Sequence, residues 1–155
     1  MSDTFTNTIL AAAISAVVGV CAWIGTNFLV DPLLEFGRRR RAIHESLFFT
    51  ANVANFSKAE AIENAEVELR RHAAALDALW ATASFPVKKW LLWRGYDVKN
   101  AAANLTGFSN SLRLEDGEKA IHRNLIEKGL RYARSYTDEE MQGIIRARRE
   151  HRRPG

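Results

Sequence analysis

Apolar residues run uninterrupted by charge from Ile9 to Val30, and the polar side chains among them, Ser15, Thr26 and Asn27, are small. At about 1.5 Å per residue this helix reaches roughly 33 Å, enough to cross a hydrocarbon core of about 30 Å. A core helix of a soluble domain usually keeps a polar stripe. This one has none. A secretory signal needs a basic start and a shorter apolar core. Met1 to Thr8 carries no Lys or Arg, and no small-residue cleavage site follows the apolar stretch. The pattern predicts an uncleaved transmembrane helix over 9–30, with residues 1–8 outside the cytoplasm.

Beyond the span the apolar spacing is helical throughout. A first helix is expected from Leu33 to about Phe56, with Leu34, Ile43, Leu47, Phe48, Ala51 and Ala54 as its stripe and Phe49 and Val53 widening it. Pro32 can occupy its first turn or bend the chain at the membrane exit. Ser57 and Glu60 have capping-box spacing, and Ile62, Ala65, Leu69, Ala73, Leu76, Leu79 and Trp80 form the next face. Pro86 ends that helix near Ser84. Asp97 is placed to cap a helix bearing Val98, Ala102, Leu105, Phe108 and Leu112, whose Ala101-Ala102-Ala103 run permits close packing. Glu115-Asp116-Gly117 reads as a turn before a helix with Ile121, Leu125, Ile126, Leu130 and Ala133. A second capping box, Thr137 with Glu140, starts a last short helix. The fold class is all-α: one N-terminal transmembrane helix, a basic junction over 31–41, a four- or five-helix cytoplasmic bundle over 42–145, and a basic tail over 146–155.

Charge gives the span a direction. The chain has 155 residues and a formal charge of +4, concentrated at Arg38, Arg39, Arg40 and Arg41 and in the tail from Arg146. Only Asp3 precedes the span, so the positive-inside rule puts the arginines and all that follows in the cytoplasm. Those four arginines are also candidates for contact with anionic head groups. Trp90, Leu91, Leu92 and Trp93, flanked by Lys88, Lys89 and Arg94, suit either a short segment on the inner leaflet or a plug for the domain core. Trp90 and Trp93 are therefore candidate membrane-interface residues. Within the span, Ala12, Ser15, Ala16 and Gly19 make a small-residue face on which helices could associate.

Candidate chemistry is thin. Cys21, the single cysteine, lies in the span, so no disulfide framework or cysteine zinc site is available. His44, His72, His122 and His151 fall on separate helices without metal-ligand spacing, and neither a metal nor another cofactor is expected. The Arg39/His44 and Arg146/His151 spacings resemble the loose signature of helical HEPN ribonucleases, but Arg40 and Ala147 stand where that motif has a polar residue. The basic tail has no interleaved aromatic for stacking on bases, so nucleic acid is a minor expectation.

Three stretches carry a resemblance: the junction from Asp31-Pro32 to Arg41 with Ala51-Asn52-Val53, the helix Leu69 to Leu76, and Asn100 to Leu112. In these the chain is similar to an uncharacterised family of small single-span bacterial membrane proteins. The resemblance implies an anchor with a cytoplasmic helical domain in a bacterial inner membrane. It supplies no functional residues.

The function expected on these grounds is non-enzymatic. The chain would sit in the lipid bilayer and assemble through its span and soluble domain, as a homo-oligomer or with a membrane or cytoplasmic partner. The sharpest form is an oligomeric, pore-type effector in bacterial defence or stress. The alternative is an accessory subunit of a larger membrane complex. A HEPN-like ribonuclease, and a lysis protein with its domain outside, rank lower.

Overall fold

The computed structural model describes residues 2–53, 59–114 and 116–151. Helix α1 (Ser2–Gly25) passes through a π turn at Thr26–Val30 into α2 (Asp31–Val53) without leaving helical geometry. Pro32 explains the turn. It offers no N–H to the carbonyl four residues back, that of Phe28, and its ring crowds that oxygen. The helix widens locally instead, and Asp31 N–H reaches back to Thr26 O. Thr26 and Asn27 donate their side chains to the carbonyls of Ala22 and Trp23, at 2.9 and 2.8 Å. Among the described residues one helical run, Asn7–Thr50, is long and apolar enough to cross a membrane.

Helices α3 (Ala59–Thr82), α4 (Phe85–Trp93), α5 (Val98–Ser111), α6 (Asp116–Gly129) and α7 (Asp138–His151) follow, and no strand occurs among the described residues. The architecture is all-α, a long apolar N-terminal helix followed by a small helical bundle. Helix α5 is its centre, packed between α3 and α6, while α2 lies on α3 and α7 on α6. Val98, Ala101, Ala102, Leu105 and Phe108 of α5 are buried against Leu69, Ala73 and Leu76 of α3 and Ile126 and Leu130 at the end of α6. The alanines give α5 room to be enclosed on several sides.

Enclosure forces its polar residues to find partners inside. Ser109 and Ser111 donate to carbonyls of their own helix, at 2.8 and 2.9 Å. Asn104 donates to Asn100 O at 2.8 Å, which leaves its Oδ1 to accept from His122 Nδ1 at 3.0 Å. Burial holds the His122 imidazole below its ordinary pKa. Gly107 makes space for that ring: a Cβ there would lie 2.7–2.8 Å from its two nitrogens.

The caps at Asp97 and Thr137 form as expected. Asp97 Oδ1 accepts from Asn100 N–H at 3.1 Å. Glu140 Oε2 accepts from Thr137 N–H at 2.7 Å, and Thr137 Oγ1 accepts from Glu140 N–H at 3.3 Å. The Ser57 cap and the end of the first predicted stripe, Ala54, lie outside the described residues. The expected turn moves forward to 112–114, so that Asp116 and Gly117 open α6 rather than precede it; Glu115 lies outside the described residues.

The stripe expected for α2 is corrected more deeply. Leu34, Phe48 and Phe49 face outward, while Phe36, Ile43, Ser46, Leu47 and Thr50 are buried. Apolar residues occur all around this helix, so periodicity alone cannot choose its inner face. Thr50 returns its hydroxyl to Ser46 O at 2.7 Å, which makes the threonine acceptable inside.

Close approach at Gly129 tests the packing. Its carbonyl accepts from Asp97 N–H at 2.9 Å, and a Cβ would lie 2.9 Å from Asp97 O and 3.2 Å from the Ala101 methyl. Gly129→Ala is expected to lower stability by about 1–3 kcal/mol through overpacking against backbone. Gly143→Ala, where a Cβ meets nothing within 4 Å, should leave stability unchanged or raised by up to ~1 kcal/mol. Thermal unfolding of the detergent-solubilised variants measures both.

Candidate membrane-contact surface

The four arginines after the apolar segment do not act alike. Arg38 and Arg39 both pair with Glu35, at 3.9 and 2.7 Å, and Arg41 is exposed. Arg40 turns inward, contrary to the expectation that the whole run faces lipid. Its Nε donates to Leu130 O at 2.7 Å and its second guanidinium nitrogen to Arg131 O at 2.9 Å. The guanidinium sits over the Tyr132 ring, 4.8 Å from its centroid, and 5.8 Å from that of Tyr96. Tyr132 donates its hydroxyl to Arg40 O. Burial raises the Tyr132 phenol well above its ordinary pKa despite the opposing pull of Arg40, so the hydroxyl stays a donor. A cation thus meets the negative end of α6, where carbonyls have no helical partner.

Two helix ends meet at this point. The chain leaves α4 through Gly95 at φ 78° and leaves α6 through Arg131 at φ 54°. In each case paired reverse bonds close the last turn. Gly95 N–H goes to Leu92 O and Tyr96 N–H to Leu91 O; Arg131 N–H goes to Lys128 O and Tyr132 N–H to Glu127 O. Arg131 then donates to Arg94 O across the junction. Phe36 of α2 packs edge-on to Tyr96, with ring centroids 5.0 Å apart. The buried Glu127 carboxylate accepts from Ser135 N–H at 2.7 Å and from Arg123 Nε at 2.9 Å, fixing the loop beyond.

Helix α4 is held against the other end of this assembly. Ser84 stands at its N-cap position, yet its hydroxyl makes no capping bond. It donates to Phe28 O at 2.8 Å, the carbonyl that Pro32 leaves without an α-helical partner. At 100° per residue, Val87 and Leu91 share one face, and both are buried. Phe85, Leu92 and Trp93 lie opposite, with exposures of 75%, 57% and 76%, and Lys89 stands between them. Trp90 is on the flank at 40% exposure, with the Arg94 guanidinium 5.7 Å from its ring. Lys88 Nζ lies 5.8 Å from the Trp80 ring. The core plug is therefore Val87 and Leu91. Trp90 and Trp93 are on the surface, at the flank and towards one edge of an outward apolar face that begins beside the apolar segment.

The remaining candidates are more dispersed. Ala12, Ser15, Ala16 and Gly19 are all exposed along α1, and a Cβ on Gly19 would meet nothing within 4 Å. His44 packs on Tyr132 with centroids 4.8 Å apart, and His72 Nε2 lies 3.5 Å from Glu68 Oε1. An open cleft of about 670 Å³ between α2 and α3 is lined by both histidines, Phe48 and Phe49. Among the described residues no group of three or more His, Cys, Asp or Glu side chains is placed to hold a metal ion. Arg39 is engaged by Glu35 while His44 is engaged by Tyr132, so that spacing does not make a joint site. The side chains of the tail from Arg148 onward, His151 included, lie outside those described.

Tyr96, Tyr132 and Glu127 had no sequence signal strong enough to single them out, and nothing set Arg40 apart from the other arginines of its run. Arg40→Ala is expected to cost about 1–3 kcal/mol, because it removes two charge-assisted bonds, one to the part-buried Leu130 carbonyl and one to the exposed Arg131 carbonyl. Arg40→Lys should recover less than half of that loss, since an ammonium cannot serve both carbonyls with a planar fork. Arg41→Ala should stay within about 0.5 kcal/mol of the parent. Thermal unfolding, with hydrogen exchange read at the end of α6, separates the three.

No protein family, curated protein or solved structure matches the chain.

Proposed function

We propose that the chain is a single-pass protein of a bacterial inner membrane, N-terminus outside and helical domain in the cytoplasm, which acts by assembling with copies of itself. The observation that carries this reading is the unbroken helical run from the apolar segment into α2, clamped to the bundle by Arg40. A flexible tether would leave the domain indifferent to what the span does. A continuous helix does not: two spans brought together also bring their domains together at a set angle. The small face of Ala12, Ser15, Ala16 and Gly19 supports contact within the membrane.

Orientation is supported by more cations than the arginine run. The bond from Ser84 to Phe28 O brings Lys88, Lys89 and Arg94 to the same end of the span as Arg38, Arg39 and Arg41. The positive-inside preference then acts on a cluster rather than on one segment. The resemblance to small single-span bacterial membrane proteins points the same way. In its sharpest form the assembly is a membrane effector in a defence or stress response.

Native mass spectrometry of the full chain released from lipid nanodiscs tests the reading. A discrete oligomer is expected, and Ala16→Leu with Gly19→Leu should shift it towards monomer. A strict monomer at every protein-to-lipid ratio, for the parent chain, contradicts self-assembly.

A further inference from the structure

We propose that α4 is a second membrane contact: Phe85, Leu92 and Trp93, with Lys89 among them, lie in the head-group and upper acyl region of an anionic bilayer beside the end of the span. The inference rests on the membrane-anchored reading and adds to it a surface of the domain itself.

Position is the first argument. A lone apolar patch could be covered by many things, but α4 is fastened to the span. Its first residue follows Ser84, whose hydroxyl is bonded to Phe28 O within the last turns of the apolar segment. If residues 9–30 cross the bilayer, Phe28 is at its edge, and Phe85 starts a helix at that depth. Nine residues at about 1.5 Å each give α4 a length of roughly 13 Å. Lying roughly in the bilayer plane, as the proposal requires, a helix of that length extends from the span within the interfacial layer.

Composition is the second argument, and it separates lipid from protein as the occupant. Trp at a membrane edge combines an apolar body with a polar N–H, which suits the head-group boundary. Lys89 stands in the middle of the apolar face. At a dry interface with a second copy its ammonium would need an acidic partner. At a bilayer its stem can follow the apolar residues while the charge reaches phosphate. Lys88 and Arg94 border the same helix, and no acidic residue occurs from Phe85 to Tyr96. The charge of this surface complements an anionic leaflet.

Depth-dependent quenching tests the proposal on the full chain in vesicles of phosphatidylcholine and phosphatidylglycerol. One variant keeps only Trp93 (Trp23→Phe, Trp80→Phe, Trp90→Phe). A second keeps only Trp23 (Trp80→Phe, Trp90→Phe, Trp93→Phe). Lipids brominated high on the acyl chain should remove about half of the Trp93 emission, and those brominated near the chain end much less. A Trp93 signal that no bromolipid quenches overturns the proposal, whether red-shifted in water or blue-shifted under another protein copy. Trp23 keeps the two readings apart. If Trp23 is quenched and Trp93 is not, only the α4 contact fails; if neither is quenched, the span reading fails with it. A spin label on Leu92→Cys, with Cys21→Ser, repeats the test with all tryptophans intact. Collisions with oxygen should exceed those with a water-soluble nickel chelate, and the reverse order overturns the contact.

Discussion

Arg40 donates to the carbonyls of Leu130 and Arg131, and those two bonds tie the helix that begins in the apolar segment to the end of α6, in addition to the packing of its Phe36, Ile43 and Leu47 in the core. The last turn of a helix leaves carbonyls without partners, and here they are met from two directions. Arg40 comes from α2, while Asp97 N–H, at the start of α5, takes Gly129 O. The aromatic rings of Tyr96 and Tyr132 flank the guanidinium, and Tyr132 closes the circuit by donating to Arg40 O. Two carbonyls, two aromatic rings and one phenol hydroxyl thus converge on a single residue. The relation between span and domain depends on it in turn.

A proline sets the second constraint. Pro32 has no N–H for Phe28 O, and the helix answers with a π turn rather than a break. The carbonyl then accepts the Ser84 hydroxyl, which fixes the start of α4 beside the apolar segment. A serine that would ordinarily cap its own helix is used to join two helices. The outward face of α4 owes its location to this exchange.

Sequence pattern carried much of the architecture, and the places where it failed have a common cause. Helices α3 and α5 each have one apolar face, with Pro86 following the first and the Asp97 cap opening the second, so Leu69, Ala73, Leu76, Val98, Leu105 and Phe108 fell where periodicity put them. In α2 apolar residues surround the axis, and Phe36 was passed over while Phe48 and Phe49 were misassigned to the core. Arg40 was hidden in a run of four arginines whose topological meaning accounts for all of them at once. Arg39 pairs with Glu35 and Arg41 is exposed, and only the position of the α6 end distinguishes the third member. Arg131 was hidden differently. A left-handed residue after a helix is expected to be glycine, as Gly95 is, and nothing in a sequence announces an arginine there. The Trp90 to Trp93 segment was legible as unusual, but its inner face needed the register that Val87 and Leu91 supply.

These constraints tie the apolar helix and the bundle into a single mechanical unit, which is the condition that the proposed association in a membrane needs if it is to organise domains outside it. Distance measurement between spin labels tests that condition most directly. One label would stand on α1, at Ala11→Cys, and one on the exposed side of α6, at Lys128→Cys, in a Cys21→Ser chain held dilute in nanodiscs. A narrow distance distribution is predicted, broadening when Arg40→Ala is added. A distribution already broad with Arg40 in place would mean that the span and the domain move independently, and would contradict the account.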